Sequence, residues 1–239
     1  MAFRIVLIIA GSVLAFMGWQ EYGLLQQSSA EPQPIELSQL EAGQAPPGLH
    51  IQLGHHWKLW PEFIYSYRLK EGQEVGPDTR VDYVYYPIIS EGHPHSQAFN
   101  ELGARYEAGE DVTEADWPVL KSFAMLVRTK QFKRVRDLPT DGEWGEADQM
   151  VGMVVNDLRR LDAEEKSLLR QSYTSLDLGR VLIFEEGRQP ESMAYCLGMM
   201  ALGGGLVLLG FYLIVRSTTG RREEAGELPP LIKSAELAR

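Results

Sequence analysis

The chain has 239 residues, of which 33 are acidic, 23 are basic and one is cysteine, for a net charge of −10. This acidic balance argues against nucleic acid as a partner, because a phosphate-binding surface would have to exist against the field of the whole chain. A single cysteine excludes an intramolecular disulfide framework and any cysteine-rich zinc module.

The first element is an apolar segment, Ile5–Trp19, which follows the basic residue Arg4. Its 15 residues would span about 22 Å as a helix. A cleavable signal peptide has the same pattern, with a possible cleavage site at 28–30. Trp19 and Tyr22 lie where interfacial anchors are found. Their positions favour a retained transmembrane anchor, comprising residues 1–25, rather than a cleaved peptide.

Residues 26–48 contain four prolines and predict a linker leaving the membrane. Within it, Ser38 and Glu41 have the spacing of a capping box, and Gly43 could end a single helical turn.

Residues 49–190 have a globular composition and predict an α+β domain dominated by antiparallel strands. The predicted strands are Leu49–Leu53, Phe63–Leu69, Asp82–Ile89, Ala124–Phe132, Met150–Val155 and Val181–Glu185. The second and third of these are expected to form a long hairpin. Helices are predicted over Ser96–Ala108, near Thr113–Asp116 and over Asp162–Ser172.

The second apolar segment, Met193–Val215, has 23 consecutive uncharged residues. Such a helix would span about 34 Å, enough to cross the hydrocarbon core of a bilayer. It predicts a transmembrane helix over 191–216, followed by a tail, 217–239, that is too short for a domain.

The basic residues near the two segments predict the topology. Arg4 precedes the first segment, and Arg216, Arg221 and Arg222 follow the second. The positive-inside rule therefore predicts that both termini are cytoplasmic, with residues 19–192, which carry 29 acidic and 17 basic residues, on the other side. We expect a membrane location, with the lipid bilayer as one partner and a bacterial inner membrane as the setting.

Small residues form a stripe on each apolar segment. The first segment has Gly11, Ala15 and Gly18, and the second has the set Ala194, Gly198, Ala201 and Gly205. Small side chains let membrane helices approach closely, so both stripes predict helix packing. Self-association and packing within one chain remain open.

All five histidines lie between His50 and His95. If the chain brings the ends of two strands together, four imidazoles meet, from His55, His56, His93 and His95. Zinc or copper would accept such a set, with Glu62 and Glu91 as further ligands. Ordinary loop histidines are the alternative, because the spacing matches no metal motif.

Eight aromatic residues lie between Trp57 and Tyr86. They indicate a binding surface for a glycan or for lipid headgroups, or aromatic pairs that close a hairpin over a core. The candidate surface residues are Trp57, Trp60, Tyr65, Tyr67, Tyr83 and Tyr85.

The sequence contains no nucleophile elbow, phosphate-binding loop or dinucleotide fingerprint, so no cofactor is expected. The layout resembles, in architecture alone, the membrane half of RING-type ubiquitin ligases of mitochondria and plastids. The tail has no cysteine for their zinc-binding RING, so neither function nor residues are carried over.

Three hypotheses follow. The first is a non-enzymatic two-pass membrane protein whose extracytoplasmic domain binds or organises other membrane or envelope proteins. The second is a membrane-tethered, metal-dependent hydrolase that uses the His50–His95 cluster. The third is a glycan- or lipid-sensing module.

Overall fold

The computed structural model describes residues 2–67, 69, 72–139, 142, 144–155, 163–173 and 180–224. The chain divides into two compact units. The first combines the two ends of the chain, Met1–Gln26 and Glu191–Arg239, and the second, here called the central domain, is Gln27–Pro190. The predicted helix start at Asp162 and the tail beyond Glu224 lie outside the described residues.

The helices in chain order are α1 (Ala2–Gln26), α2 (Leu37–Glu41), α3 (Pro94–Glu107), α4 (Ala163–Ser172) and α5 (Met193–Glu224). The strands are β1 (Gln33–Ile35), β2 (His50–Leu53), β3 (His56–Lys58), β4 (Ile64–Tyr67), β5 (Val81–Ile89), β6 (Met125–Thr129), β7 (Gly145–Ala147), β8 (Met150–Val154) and β9 (Leu182–Glu186).

The first unit contains α1 and α5, which pack against each other. Their segments Phe3–Gln26 and Met193–Arg216 are each 24 residues long and are apolar enough to cross a membrane. Gly11 of α1 faces Gly203 of α5, and Gly18 faces Cys196, so the two helices run antiparallel.

The contact face of α5 repeats every seven residues, through Cys196, Gly203 and Gly210, all buried. On α1, Gly11 and Gly18 have the same spacing. A seven-residue period keeps one face of a helix against a neighbouring helix over several turns, as in left-handed helix pairs.

In the described part of the central domain, nine strands form one curled, mixed sheet in the order β1-β2-β8-β9-β6-β5-β3-β7, with β4 also paired to β5. The pairs β1/β2 and β6/β9 are parallel, whereas the other six pairings are antiparallel. The expected long hairpin is confirmed by the antiparallel pairing of β4 with β5.

Strand β5 pairs with three strands, β3, β4 and β6, and contributes to two hydrophobic clusters. Val84, Tyr86 and Ile88 belong to one cluster, whereas Tyr85 and Ile89 belong to the other. Successive side chains of a strand point to opposite faces, so β5 is buried on both. All five residues are at 0% exposure.

The domain begins earlier than the sequence indicates. Residues expected in a Pro-rich linker form β1, parallel to β2, and α2, whose Leu37 and Leu40 enter the first hydrophobic cluster. The predicted capping box is wrong, because the N-cap of α2 is Glu36, which makes no side-chain capping bond. Glu41 instead accepts hydrogen bonds from Ser90, one from its backbone N–H at 2.8 Å and one from its hydroxyl.

Helix α3 has clear local reasons for both of its ends. Pro94 occupies the first turn, where a missing N–H costs no intrahelical bond. The helix ends before Gly109, whose φ of +81° suits glycine.

Candidate functional site

The four candidate metal-binding histidines lie in different surroundings. His56 is fully buried, and its Nδ1 donates a hydrogen bond of 2.8 Å to the Gly54 carbonyl. Burial lowers the pKa of His56 below its ordinary value. His56 is therefore a neutral residue of the domain interior at neutral pH.

His93 caps the N-terminus of α3, where its Nδ1 accepts a hydrogen bond of 3.1 Å from the His95 backbone N–H. Burial lowers the pKa of His93, and the nearby Glu41 partly offsets this effect. Burial and the proximity of His93 also lower the pKa of His95.

His55 is the one histidine in a group of potential ligands among the described residues. Its Nε2 lies 3.0 Å from Glu146 Oε1, and the candidate ligand atoms of His55, Glu146 and Asp148 all lie within 4.8 Å of one another. One imidazole and two carboxylates can coordinate a divalent cation. Both carboxylates are exposed, and acidic surface groups often lie together without an ion.

The six predicted surface aromatics do not share one surface. Trp60 and Tyr65 pack against the first hydrophobic cluster, whereas Tyr85 is a fully buried member of the second. Tyr83 lies beneath the Arg128 guanidinium, 3.5 Å from ring centroid to Cζ, and Tyr67 is 41% exposed. The alternation along β4 and β5 directs these rings to different faces.

Trp57 borders a cleft between α3 and the β3/β7 edge of the sheet, with a volume of about 1010 Å³. We call it the aromatic cleft. Its rings come from four separate segments of the chain, and they are Trp57, His95, Phe99, Trp117 and Trp144.

Trp144 is at the centre of these rings. The His95 ring stacks on it at a centroid distance of 5.5 Å, and the Phe99 ring lies 4.5 Å away. Trp57 is 6.3 Å from Trp144, and Trp117 extends the set from Phe99 at 5.6 Å. Trp117 remains 53% exposed, so part of this aromatic surface is open to a ligand.

The charged residues that line the aromatic cleft are acidic. Glu62 and Glu91 are both exposed there, and no Lys or Arg is among its lining residues in the described part of the chain. The lowered pKa of His95 keeps its ring neutral at pH 7. The cleft thus combines aromatic faces with negative charge, a combination that attracts cations.

The helix-packing residues also separate into two groups. Gly11, Ala15 and Gly18 lie on the face of α1 that packs against α5. The predicted stripe on α5 does not pack there: its members, Ala194, Gly198, Ala201 and Gly205, are all exposed. Gly203 and Gly210 occupy the contact instead, because they follow the seven-residue period.

Sequence reasoning missed Phe99, Trp117 and Trp144 as site residues. Trp57 and Trp144 are 87 positions apart, and no spacing rule joins them. The pairing of β3 with β7 brings their segments together.

Comparison with protein-family models, with curated proteins and with solved structures finds no match to this chain.

Proposed function

We propose that this chain is a non-enzymatic, two-pass membrane protein whose central domain binds or organises other membrane or envelope proteins. The packed pair of apolar helices supports this proposal, because one such pair anchors both ends of the domain. We propose that both termini are cytoplasmic, with the domain outside, across a bacterial inner membrane. Arg4 and Arg216, at the terminal ends of the two apolar segments, support this orientation.

The topology is tested by thiol labelling of single-cysteine variants in a Cys196→Ser background. Glu107→Cys places a thiol at an exposed position of the central domain, and Ser217→Cys places one beyond the second apolar segment. A membrane-impermeant maleimide should label the first variant in intact cells and the second only after permeabilisation. The reverse pattern would contradict the proposed orientation.

Association with other helices has an open face available. A Cβ at Gly198 or Gly205 would meet no atom within 4 Å, so this face of α5 is free of contacts within the described chain. Crosslinking in membranes should capture a second chain or a partner, and Gly198→Leu should reduce the yield. Unchanged crosslinking in Gly198→Leu would remove this face from the proposal.

A second candidate function, a ligand-sensing module, is favoured by the aromatic cleft. Three of the five tryptophans of the chain line it, so ligand binding should change the intrinsic fluorescence. A panel of soluble headgroup analogues and oligosaccharides tests this function. A response that disappears in Trp117→Leu would assign the ligand to the cleft, whereas no response from any ligand would contradict a sensing role.

A further inference from the structure

We infer that the aromatic cleft binds a quaternary ammonium group of the choline type. This inference rests on the ligand-sensing function proposed above and adds the chemical class of the ligand. Such a group is offered by a free choline derivative or by a phosphatidylcholine headgroup, and both present the same trimethylammonium cation.

The aromatic rings of the cleft favour a cationic ligand. The face of an aromatic ring carries partial negative charge, and tryptophan attracts a cation most strongly. Trp57, Trp117 and Trp144 line one cleft, and their connection through Phe99 makes a continuous aromatic surface. The 53% exposure of Trp117 leaves ring surface that a ligand can cover.

The charges along the cleft also favour a cationic ligand. Glu62 and Glu91 line the same cleft, and the described lining residues contribute no cationic side chain. Such a site repels anions and favours a positively charged ligand. The neutral His95 ring, stacked on Trp144, adds a further flat face without adding a positive charge.

The character of the walls distinguishes a quaternary ammonium from a primary one. A primary ammonium is strongly hydrated and has three N–H donors that need acceptors. Most of the wall consists of indole and phenyl rings and of carbon-rich side chains such as Pro61 and Val119, which offer an N–H donor no conventional acceptor. The acceptors that line the cleft are confined to a few residues, Glu62, Glu91, His95, Ser96 and Asn100. A quaternary ammonium has no N–H to satisfy, so it keeps its charge attraction without that cost.

The size of the cleft leaves room for more than the cation. A volume of about 1010 Å³ is at the upper end of small-molecule sites and holds a headgroup as well as a methylated ammonium. The two sources of the ligand are therefore separated by experiment.

The test uses the full chain in nanodiscs of phosphatidylglycerol, prepared from a maltoside detergent, so that no quaternary ammonium is present at the start. Tryptophan fluorescence and calorimetry follow titration with choline at constant ionic strength. The matched ligands are 3,3-dimethylbutan-1-ol, which has the shape of choline without its charge, and ethanolamine, which has a primary ammonium. We expect choline to bind about 3- to 30-fold more tightly than the neutral analogue, and more tightly than ethanolamine.

Three variants within the cleft and two control variants locate the site. Trp117→Leu keeps an apolar side chain but removes the ring, and should weaken choline binding about 3- to 30-fold, whereas Trp117→Phe should retain most of it. Glu91→Gln should weaken binding about two- to fivefold. Tyr106→Ala and Glu101→Gln, on α3 but outside the cleft, should leave choline binding unchanged.

The outcomes separate this inference from the function on which it rests. Equal binding of choline and the neutral analogue, or of choline and ethanolamine, would overturn the quaternary ammonium inference. Preferential binding of oligosaccharides that Trp117→Leu abolishes would also overturn it, while leaving a ligand-sensing cleft. No response to any of these ligands would overturn both.

A final arm identifies the source. In nanodiscs that contain phosphatidylcholine, occupation of the cleft by a headgroup should weaken the apparent affinity for added choline in the wild type but not in Trp117→Leu. An unchanged affinity in the wild type would assign the site to a soluble ligand.

Discussion

Gly11 on α1 and Gly203 on α5 lie face to face: a Cβ at either residue would come within 2.6 Å of the carbonyl oxygen of the other. This reciprocal approach leaves no space for a side chain on either helix. Close backbone packing of this kind contributes to helix association in lipid, where apolar side chains gain little by leaving one apolar environment for another.

Gly203→Leu should separate the two helices, because the Cβ of the new side chain would lie 2.5 Å from the backbone N of Ala15. We expect a loss of stability of about 1–3 kcal/mol, measured by thermal unfolding in a mild detergent. Gly205→Leu is the matched control, since a Cβ there meets no atom within 4 Å. Equal destabilisation by the two substitutions would contradict the helix contact described here.

The α5 helix shows why this contact could not be predicted from small residues alone. Glycine and alanine occur on several faces of α5, and the stripe that contains Gly198 and Gly205 looks as regular as the true contact through Gly203. The seven-residue period selects the correct face once the partner helix is known.

In the central domain, too, only part of the structure could be predicted from the sequence. The longer elements β5 and α3 could be predicted because alternation, Pro94 and a terminal glycine leave local signals. The strands β3 and β7 have three residues each, and β7 lacks any large apolar side chain, so their pairing depends on distant parts of the chain. Because this pairing builds one wall of the aromatic cleft, the site could not be recognised before the topology was known.

Gly152 on β8 is a further glycine whose neighbours leave no space for a side chain. A Cβ at this position would overlap the Glu185 carbonyl oxygen of β9 and would lie 2.8 Å from Phe184 Cζ. Gly152→Ala should therefore destabilise the domain by about 1–3 kcal/mol in denaturant unfolding. Gly103→Ala, on α3 with open space around it, should instead stabilise the domain by about 0.5–1 kcal/mol. A neutral Gly152→Ala would contradict the close pairing of β8 with β9.

Glu185 forms ion pairs with two guanidinium groups. Its carboxylate oxygens lie 2.7 Å from Arg128 Nη1 and 2.5 Å from Arg188 Nη1. Its side chain is 16% exposed, so water screens these interactions only weakly. Glu185→Gln should lower the free energy of unfolding by about 2–4 kcal/mol, because two positive charges lose the carboxylate that they contact. Chemical denaturation followed by circular dichroism measures this loss.

Asp78 provides the matched control for this ion pair. It also contacts two guanidinium groups, those of Arg134 and Arg136, but its side chain is 72% exposed. Asp78→Asn should change the free energy of unfolding by less than about 1 kcal/mol. A loss as large as that of Glu185→Gln would mean that burial does not determine the strength of these pairs.

The pH dependence of stability should reflect His56, His93 and His95. Burial is the main cause that lowers the pKa of each of these residues, so the folded state favours the neutral imidazole. The unfolded chain, with an ordinary histidine pKa of about 6.5, then binds more protons than the folded chain below that pH. The histidine contribution to stability is fully present above about pH 6.5 and is lost as the pH falls below it.

We therefore expect the free energy of unfolding to decrease from pH 7 towards pH 5, with a limit of about 1.4 kcal/mol per pH unit for each histidine. Replacement of the fully buried ring by His56→Gln should reduce this slope, although it should also lower stability at pH 7, because the fit around the buried ring is lost. Denaturant unfolding of wild type and variant at several pH values measures both effects. A pH dependence that is unchanged in His56→Gln, or a free energy of unfolding that rises as the pH falls, would contradict a neutral, buried His56.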